Sequence, residues 1–381
     1  MQHVAKFILI GSLGAAFGVA DAAAEIKVGS VVSATGPASF LGDPERKTLE
    51  LYVEKINAEG GVNGELLELV VYDDEGDANK ARTFASRLID NDEVVAIVGG
   101  TTTGTTMAIV PLAEDAEIPF ISMAGAVTII EPVKPFVFKT PPTDRMACEK
   151  IFADMKAQGT TKIGMISGTD SFGSSMREQC LAIAEGQDIE VLADETYGPR
   201  DSDMTPQLTK IRGAAGVQAV LNPGFGQGPA IVTRNYKQLG IDLPLYQSHG
   251  VASKSFIELA GDAAEGVRLP GMPLLVAELL PDDDPQKPVL LAYQATYQEK
   301  WGQPASSFGG YAYDGLHLLL DAMTRAGSSE PSDVRDELEK TQGFVGISGV
   351  FDMSEADHLG LDLSAFRMVR IENGNWTLID K

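Results

Sequence analysis

The chain of 381 residues is poor in several residue types, and each shortage excludes a class of protein. Its two cysteines and four histidines follow no spacing typical of a zinc site. Basic residues are outnumbered 30 to 54 by acidic ones, which gives a formal net charge of −24 at pH 7. Such an acidic surface repels nucleic acid and anionic membranes, so we expect neither as a partner. An anionic ligand would need local hydrogen-bond donors against this field.

Long apolar runs are also absent, apart from one near the start of the chain. Residues 7–20 form an apolar stretch of about 14 residues, which is too short for a membrane span. Lys6 precedes this stretch, and three alanines that end at Ala24 follow it. The pattern is typical of an export signal cleaved near Ala24, and no nearby cysteine could carry a lipid anchor. We therefore expect residues 1–24 to be a signal peptide and the mature chain to work outside the cytoplasm.

Strand-like and helix-like segments alternate along almost the whole mature chain. A first series predicts strands at 26–32, 66–72, 94–98 and 119–122, with helices at 42–57, 78–90 and 105–114. A second series, after residue 143, predicts strands at 162–167, 190–193, 219–221 and 244–247. It predicts helices at 144–158, 173–185, 287–301 and 307–326, and a terminal hairpin whose turn is at 372–374. This alternation predicts parallel sheets with helices on both faces. About 357 residues are enough for two α/β lobes, each with its own core.

A threonine-rich turn follows the third predicted strand. Five of the six residues from Thr101 to Thr106 are threonines, and a helix is predicted directly afterwards. Such a turn presents free backbone N–H groups and hydroxyls at a helix N-terminus, where an anion such as a carboxylate binds. The turn lacks the Gly-Lys-Ser/Thr ending of a nucleotide-binding loop. The alternative is an N-capped helix start without a ligand.

Several motifs occur along the chain in a fixed order. They are the segments 31–37 (VVSATGP), 56–64 (INAEGGVNG), 72–77 (YDDEGD), 170–173 (DSFG), 311–315 (YAYDG) and 351–360. In this order they resemble the periplasmic substrate-binding proteins of branched-chain-amino-acid-type ABC importers. The resemblance implies a type I periplasmic binding protein, with two doubly wound parallel-sheet lobes joined by three hinge crossings. It implies one lobe from 25–142 and 274–345, and a second from 143–273 and 346–381.

The same resemblance implies how the protein works. We expect a periplasmic monomer without a cofactor, which binds a small carboxylate between its lobes and docks on a membrane permease. Amino-acid-binding members hold the α-carboxylate with a serine or threonine after the third strand, where Thr103 falls beside Thr102. The loop after the fourth strand usually adds backbone donors and a threonine. Here Ala124, Gly125 and Ala126 offer N–H groups without that hydroxyl, and the loop could instead be a tight turn that only packs.

A second departure from the family pattern concerns the group that pairs with the α-ammonium. Members usually carry an acidic residue after the last strand of the second lobe, and His249 stands there instead. A histidine supplies no fixed negative charge, although it can donate a hydrogen bond to an acid or a carbonyl. This predicts a ligand with an acid group but no α-ammonium. The alternative is a structural residue that caps the next helix.

The remaining predicted cleft residues are apolar: Phe40, Leu41, Phe172 and Phe225. Flat walls with a few donors favour an aromatic ring that bears a carboxylate. We therefore predict an aromatic acid of the benzoate, hydroxybenzoate or cinnamate type as the ligand. A branched-chain amino acid is the alternative, and a sensor that feeds a separate receptor is another. Phe40 and Phe172 could also serve only hinge or core packing.

The sequence gives little reason to expect catalysis. The acidic segments 73–75 and 282–284 are typical of a strand end and a polar loop, and no Gly-x-Ser-x-Gly elbow occurs. Cys148 and Cys180 lie in predicted helices among apolar neighbours. In an exported protein they could form a disulfide, or they could be two small buried residues.

Overall fold

A computed structural model describes residues 25–379 of the chain. The predicted signal peptide, with its cleavage site near Ala24, lies outside the described residues. None of the helices between residues 25 and 379 has the length and apolar character needed to cross a membrane.

The first sheet contains five parallel strands in the order β2-β1-β3-β4-β5. Its elements are β1 (Glu25–Val32), α1 (Ser39–Ala58), β2 (Leu66–Asp73), α2 (Ala78–Asp90), β3 (Ala96–Gly99), α3 (Thr103–Ala116), β4 (Phe120–Ser122) and β5 (Val137–Lys139). Val28, Val31 and Val32 of β1 are fully buried because helices cover both faces of the sheet. The carboxyl ends of β1, β3 and β4 meet at one edge, which brings the three following loops together.

The second sheet has seven strands in the order β14-β13-β10-β9-β8-β6-β7. Along the chain, its first five strands and the helices between them are α4 (Asp144–Ala157), β6 (Lys162–Gly168), α5 (Ser171–Ala184), β7 (Glu190–Tyr197), α6 (Thr205–Gly213), β8 (Ala219–Asn222), α7 (Gln227–Gln238), β9 (Leu245–Gln247), α8 (Lys254–Ala260) and β10 (Arg268–Gly271). These five strands are parallel, which confirms the prediction of two doubly wound α/β lobes.

The chain then returns to the first lobe before it completes the second sheet. The last elements are α9 (Lys287–Trp301), α10 (Ser307–Ala326), α11 (Pro331–Leu338), β11 (Phe344–Val345), β12 (Val350–Phe351), β13 (Arg367–Glu372) and β14 (Asn375–Leu378). Strands β13 and β14 form the predicted terminal hairpin, and β13 pairs with β10 in antiparallel orientation. Asn373 and Gly374 have φ values of 51° and 69°, as a two-residue turn with both φ positive requires.

The chain passes between the two lobes three times, in short segments at about 140–143, 272–280 and 361–366. The predicted lobe boundary at 345/346 stays a prediction. Ile347, Phe351 and Met353 are buried in the same core as Val28 of β1, and this packing favours a boundary nearer to residue 361.

Cys148 of α4 and Cys180 of α5 form a disulfide, which answers a question that the sequence leaves open. Their Cα atoms are 5.2 Å apart, and both side chains are fully buried in the core of the second lobe. The crosslink ties α4 to α5 within this core.

Candidate functional site

A cavity lies between the two sheets, and residues of both lobes line it. One side, here called the first wall, is formed by Leu41, Glu45, Thr101, Thr102, Thr103, Met123, Gly125, Phe308 and Tyr311. The opposite side, here called the second wall, is formed by Phe172, Phe225, His249 and Gly250. Pro141 of the first crossing closes one end. Seven of the ten predicted site residues therefore line one cavity.

The threonine turn shows which of its hydroxyls are available. Thr102 is the N-cap of α3: its Oγ1 accepts a hydrogen bond from the N–H of Thr105 at 3.2 Å, and its own N–H donates to Oγ1 of Thr105 at 3.1 Å. Thr103 is 4% exposed, and its Oγ1 has no hydrogen-bond partner in the described part of the chain. The capping interpretation therefore accounts for Thr102 and Thr105, but it leaves the hydroxyl of Thr103 free beside the cavity.

The loop after β4 presents Gly125 to the cavity, but not its two alanines. The N–H of Ala124 already donates to Oγ of Ser122 at 3.1 Å, which corrects the expectation that it is a free donor. Ala126 is fully buried in the core behind the first sheet. Gly125 alone of the three lines the cavity, and a Cβ atom there would lie 2.9 Å from Nε2 of His249.

Two buried residues, Lys139 and Asp144, support this loop from behind. Nζ of Lys139 donates to the carbonyl of Gly125 at 2.9 Å, and the N–H of Asp144 donates to the same carbonyl at 3.0 Å. Oδ1 of Asp144 accepts from the N–H of Val127, and Oδ2 accepts from Ser175 of α5. Burial lowers the pKa of Lys139 to about 7, although the charge of Asp144 opposes this shift. The pair fixes the Gly125 loop where the first crossing begins.

His249 belongs to the second wall and is 4% exposed. Its ring packs edge-on against Phe172, with ring centroids 5.3 Å apart, and Nδ1 has no partner within residues 25–379. Burial lowers the pKa of His249 to about 3, and the charge of Lys139 adds to this effect, so the imidazole is neutral at pH 7. The capping alternative does not hold, because Ser253 caps α8 by accepting from the N–H of Phe256.

The predicted aromatic residues divide between the cavity and its surroundings. Phe172 and Phe225 both line the cavity, with ring centroids 6.1 Å apart and planes at 81°. Phe40 does not line it: its ring packs edge-on against Phe308 at 5.8 Å, because α1 turns this side chain toward α10. Phe308 itself lines the cavity in its place.

Glu45 is one of the cavity residues that sequence reasoning missed, and its side chain carries a carboxyl group. It shares the buried face of α1 with Leu41, Thr48 and Leu49, and it is 1% exposed. A charged residue at helical spacing within an apolar stripe is a signal that could have revealed it.

A model of the family described as periplasmic binding protein matches residues 25–375. The chain belongs to this family. Over 345 residues it is 28% identical to a leucine-, isoleucine-, valine-, threonine- and alanine-binding protein of Pseudomonas aeruginosa, with 88% of this chain and 89% of the relative covered. These findings confirm the predicted type I periplasmic binding protein of the branched-chain-amino-acid type. They also confirm a binding protein rather than an enzyme.

Solved structures of similar proteins agree with this assignment. An extracellular ligand-binding receptor from Rhodopseudomonas palustris has a TM-score of 0.87 and 28% identity, with 93% of this chain and all of that chain covered. A branched-chain amino acid transporter substrate binding protein from Streptococcus pneumoniae, in complex with isoleucine, has a TM-score of 0.80. At 23% identity and with 93% of this chain and 99% of the other covered, this second likeness concerns the fold alone.

Proposed function

We propose that this periplasmic binding protein captures a small aromatic acid in the cavity between its lobes. The ligand would be of the benzoate, hydroxybenzoate or cinnamate type, and the closed protein would deliver it to the permease of an ABC importer. The observation that carries the proposal is the neutral His249, which faces Gly125 across the cavity and leaves the second wall without a negative charge.

The proposed binding mode assigns a task to each wall. The free hydroxyl of Thr103, at the N-terminus of α3, would donate to the ligand carboxylate, and the helix dipole would favour that charge. Phe172 and Phe225 would pack against the ring, because aromatic pairs favour edge-on and offset contacts at these distances. A ligand that touches both walls stabilises the closed arrangement of the lobes.

Branched-chain amino acids are the second candidate ligands. The name of the Pseudomonas aeruginosa relative favours them, and Glu45 places one carboxyl group in the cavity that could pair with an ammonium group. For this candidate to hold, the first wall would have to supply the negative charge that His249 does not.

A thermal-shift and calorimetric panel tests the proposal. It should compare benzoate, 4-hydroxybenzoate and cinnamate with leucine, isoleucine and an aliphatic acid. A ligand at about 100 times its dissociation constant raises the free energy of unfolding by about 2.7 kcal/mol. We expect the aromatic acids to bind and the amino acids not to bind; binding of leucine alone would refute the proposal.

Replacing Thr103 tests the carboxylate site within the same panel. Thr103→Ala removes the free hydroxyl and should weaken binding of every bound acid by about 1 to 3 kcal/mol. Thr128→Ala is the matched control, because Thr128 is exposed and does not line the cavity. Equal affinities for the two variants would remove Thr103 from the proposed site.

A further inference from the structure

Glu45 is a buried carboxyl group that the fold itself does not fully use. Its Oε2 accepts a hydrogen bond from Oγ1 of Thr101 at 2.5 Å. Its Oε1 is buried and has no hydrogen-bond partner among the residues that the structure describes. Glu45 also lines the cavity between the lobes. A buried polar atom without a partner is unfavourable, so a group that enters the cavity would gain by pairing with it.

The surroundings of Glu45 disfavour its ionised form. No salt bridge to Glu45 occurs in the described part of the chain, since its neighbours Arg46 and Lys47 both pair with Asp43 on the outer face of α1. Burial raises the pKa of Glu45 well above its usual range, and the charge of Asp74 adds to the shift, while the hydrogen bond from Thr101 opposes it. Burial and the charge of Asp74 therefore both favour the un-ionised form of Glu45.

The hydrogen bonds around Thr101 favour one of the two oxygens of Glu45 as the carrier of the proton. Oγ1 of Thr101 accepts from the N–H of Ser33 at 2.9 Å, and it donates its single proton to Oε2 of Glu45. Oε2 therefore acts as an acceptor. Ser33 continues the chain by donating its own hydroxyl to Asp74 at 2.6 Å. In the un-ionised acid the proton then belongs on Oε1, the atom that has no partner in the fold.

We infer that Glu45 is a ligand-contacting residue that acts as an un-ionised acid and donates a hydrogen bond from Oε1 to an oxygen atom of the ligand. This inference rests on the proposed function, since it assumes a bound acid. The accepting oxygen belongs either to the ligand carboxylate or to a hydroxyl on its ring. Both are the same chemistry, an acceptor oxygen, whereas an ammonium group would need the ionised form of Glu45.

Two substitutions separate the donor from the charge. Glu45→Gln keeps the shape, an acceptor for Thr101 and an N–H donor toward the cavity, but it cannot ionise. Glu45→Met keeps the approximate volume and removes both polar atoms. Calorimetry with benzoate and 4-hydroxybenzoate should show Glu45→Gln within about threefold of wild type, while Glu45→Met loses about tenfold or more. Thermal unfolding of the ligand-free variants checks that each one is folded.

The two ligands then identify the accepting oxygen. An equal loss for both ligands in Glu45→Met assigns the bond to the carboxylate, and a loss confined to 4-hydroxybenzoate assigns it to the ring hydroxyl. Either result supports the inference. It is overturned if Glu45→Met binds both ligands as wild type does, or if Glu45→Gln loses as much affinity as Glu45→Met.

A failure of the proposed function has a different signature. The proposed function fails if the wild-type protein binds leucine but binds neither benzoate nor 4-hydroxybenzoate. The inference is then overturned as well if Glu45→Gln loses leucine, because this would mean that an ionised Glu45 holds the ammonium group. It survives if Glu45→Gln retains leucine and Glu45→Met loses it.

Discussion

The two walls of the cavity differ in the kind of chemistry that they present. The hydroxyl and carboxyl groups belong to the first wall, where Thr103 and Glu45 each have a buried oxygen without a partner. The second wall presents two phenylalanine rings and a neutral imidazole, packed edge-on against one another. Donors on one lobe and rings on the other suggest separate tasks. The first wall would orient the acid group, and the second would select the shape of the remainder when the lobes close.

The walls also differ in how they are fixed. The first wall is formed by the N-terminus of α3 and by a loop that Lys139 supports. Hydrogen bonds to the backbone therefore fix the positions of its polar groups. The second wall is held by side-chain packing around Phe172 and His249, and the disulfide between α4 and α5 lies in the same core as Phe172. Substitutions that add volume between the walls should therefore lower ligand affinity more than substitutions within one wall.

The closest approach of the walls at Gly125 offers the largest expected effect. In Gly125→Ala the new Cβ would lie 2.9 Å from Nε2 of His249 and 3.0 Å from Cε2 of Phe172, and both atoms belong to packed rings. Closure should then be hindered, and ligand affinity should fall by about 1 to 3 kcal/mol, as in other overpacked sites. Calorimetry measures the affinity, and small-angle scattering with and without ligand measures closure.

Gly104→Ala is the matched control for this substitution. Gly104 also faces the other lobe, but its new Cβ would meet Oγ of Ser171 at 3.3 Å, and a serine side chain can rotate away. We expect less than about 1 kcal/mol of lost affinity for this variant. If both variants bound ligand like wild type, the walls would not come as close in the bound protein as they do here.

The neutral state of His249 predicts that stability depends on pH. The pKa of His249 is lowered by burial to about 3 from an ordinary value of 6.5, so below pH 6.5 the unfolded chain binds a proton that the folded chain does not. The contribution is fully present above pH 6.5 and is lost as the pH falls toward 3. At about pH 5 the loss of stability amounts to about 2 kcal/mol.

Urea unfolding of the ligand-free protein at about pH 7.5 and about pH 5 measures this loss. Trp376 of the second lobe reports the transition once the other tryptophan, in α9, is replaced by Trp301→Phe. His249→Gln should remove about 2 kcal/mol of the pH dependence, because glutamine does not titrate. An unchanged dependence in this variant would show that His249 is already charged or solvated in the folded protein.

Periodicity predicted most of the fold, and the family resemblance predicted half of the residues that line the cavity. The bounds of α9 and α10 match the prediction, and both helices end at a glycine in the left-handed conformation, Gly302 and Gly327. The three-residue strand β5 was missed, since it is too short to show a period. Phe40 was predicted in the cavity, but the side on which a helical residue faces depends on how α1 packs against α10.

Glu45 shows why a single polar side chain is hard to assign from sequence. With a helix predicted from residue 42, Glu45 falls among charged residues, and only its helical spacing from Leu49 and Tyr52 distinguishes it from a solvated face. Its burial is set by Thr101, a partner 56 positions away along the chain. Local patterns identify elements, whereas long-range contacts decide which charge points inward.

Phe172 gives the smallest expected effect and the most direct test of what the second wall selects. Phe172→Leu keeps an apolar side chain but removes the ring that packs against Phe225 and His249. Edge-on aromatic pairs contribute about 0.5 to 1.5 kcal/mol beyond the area they bury, so an aromatic acid should lose about 1 kcal/mol of binding. An aliphatic acid has no ring to pair and should lose little. A calorimetric comparison of benzoate with cyclohexanecarboxylate measures this difference, because the two share the carboxylate and differ in the ring. Equal losses for both would mean that the second wall provides apolar volume alone, and that the selection of ligands rests with the first wall.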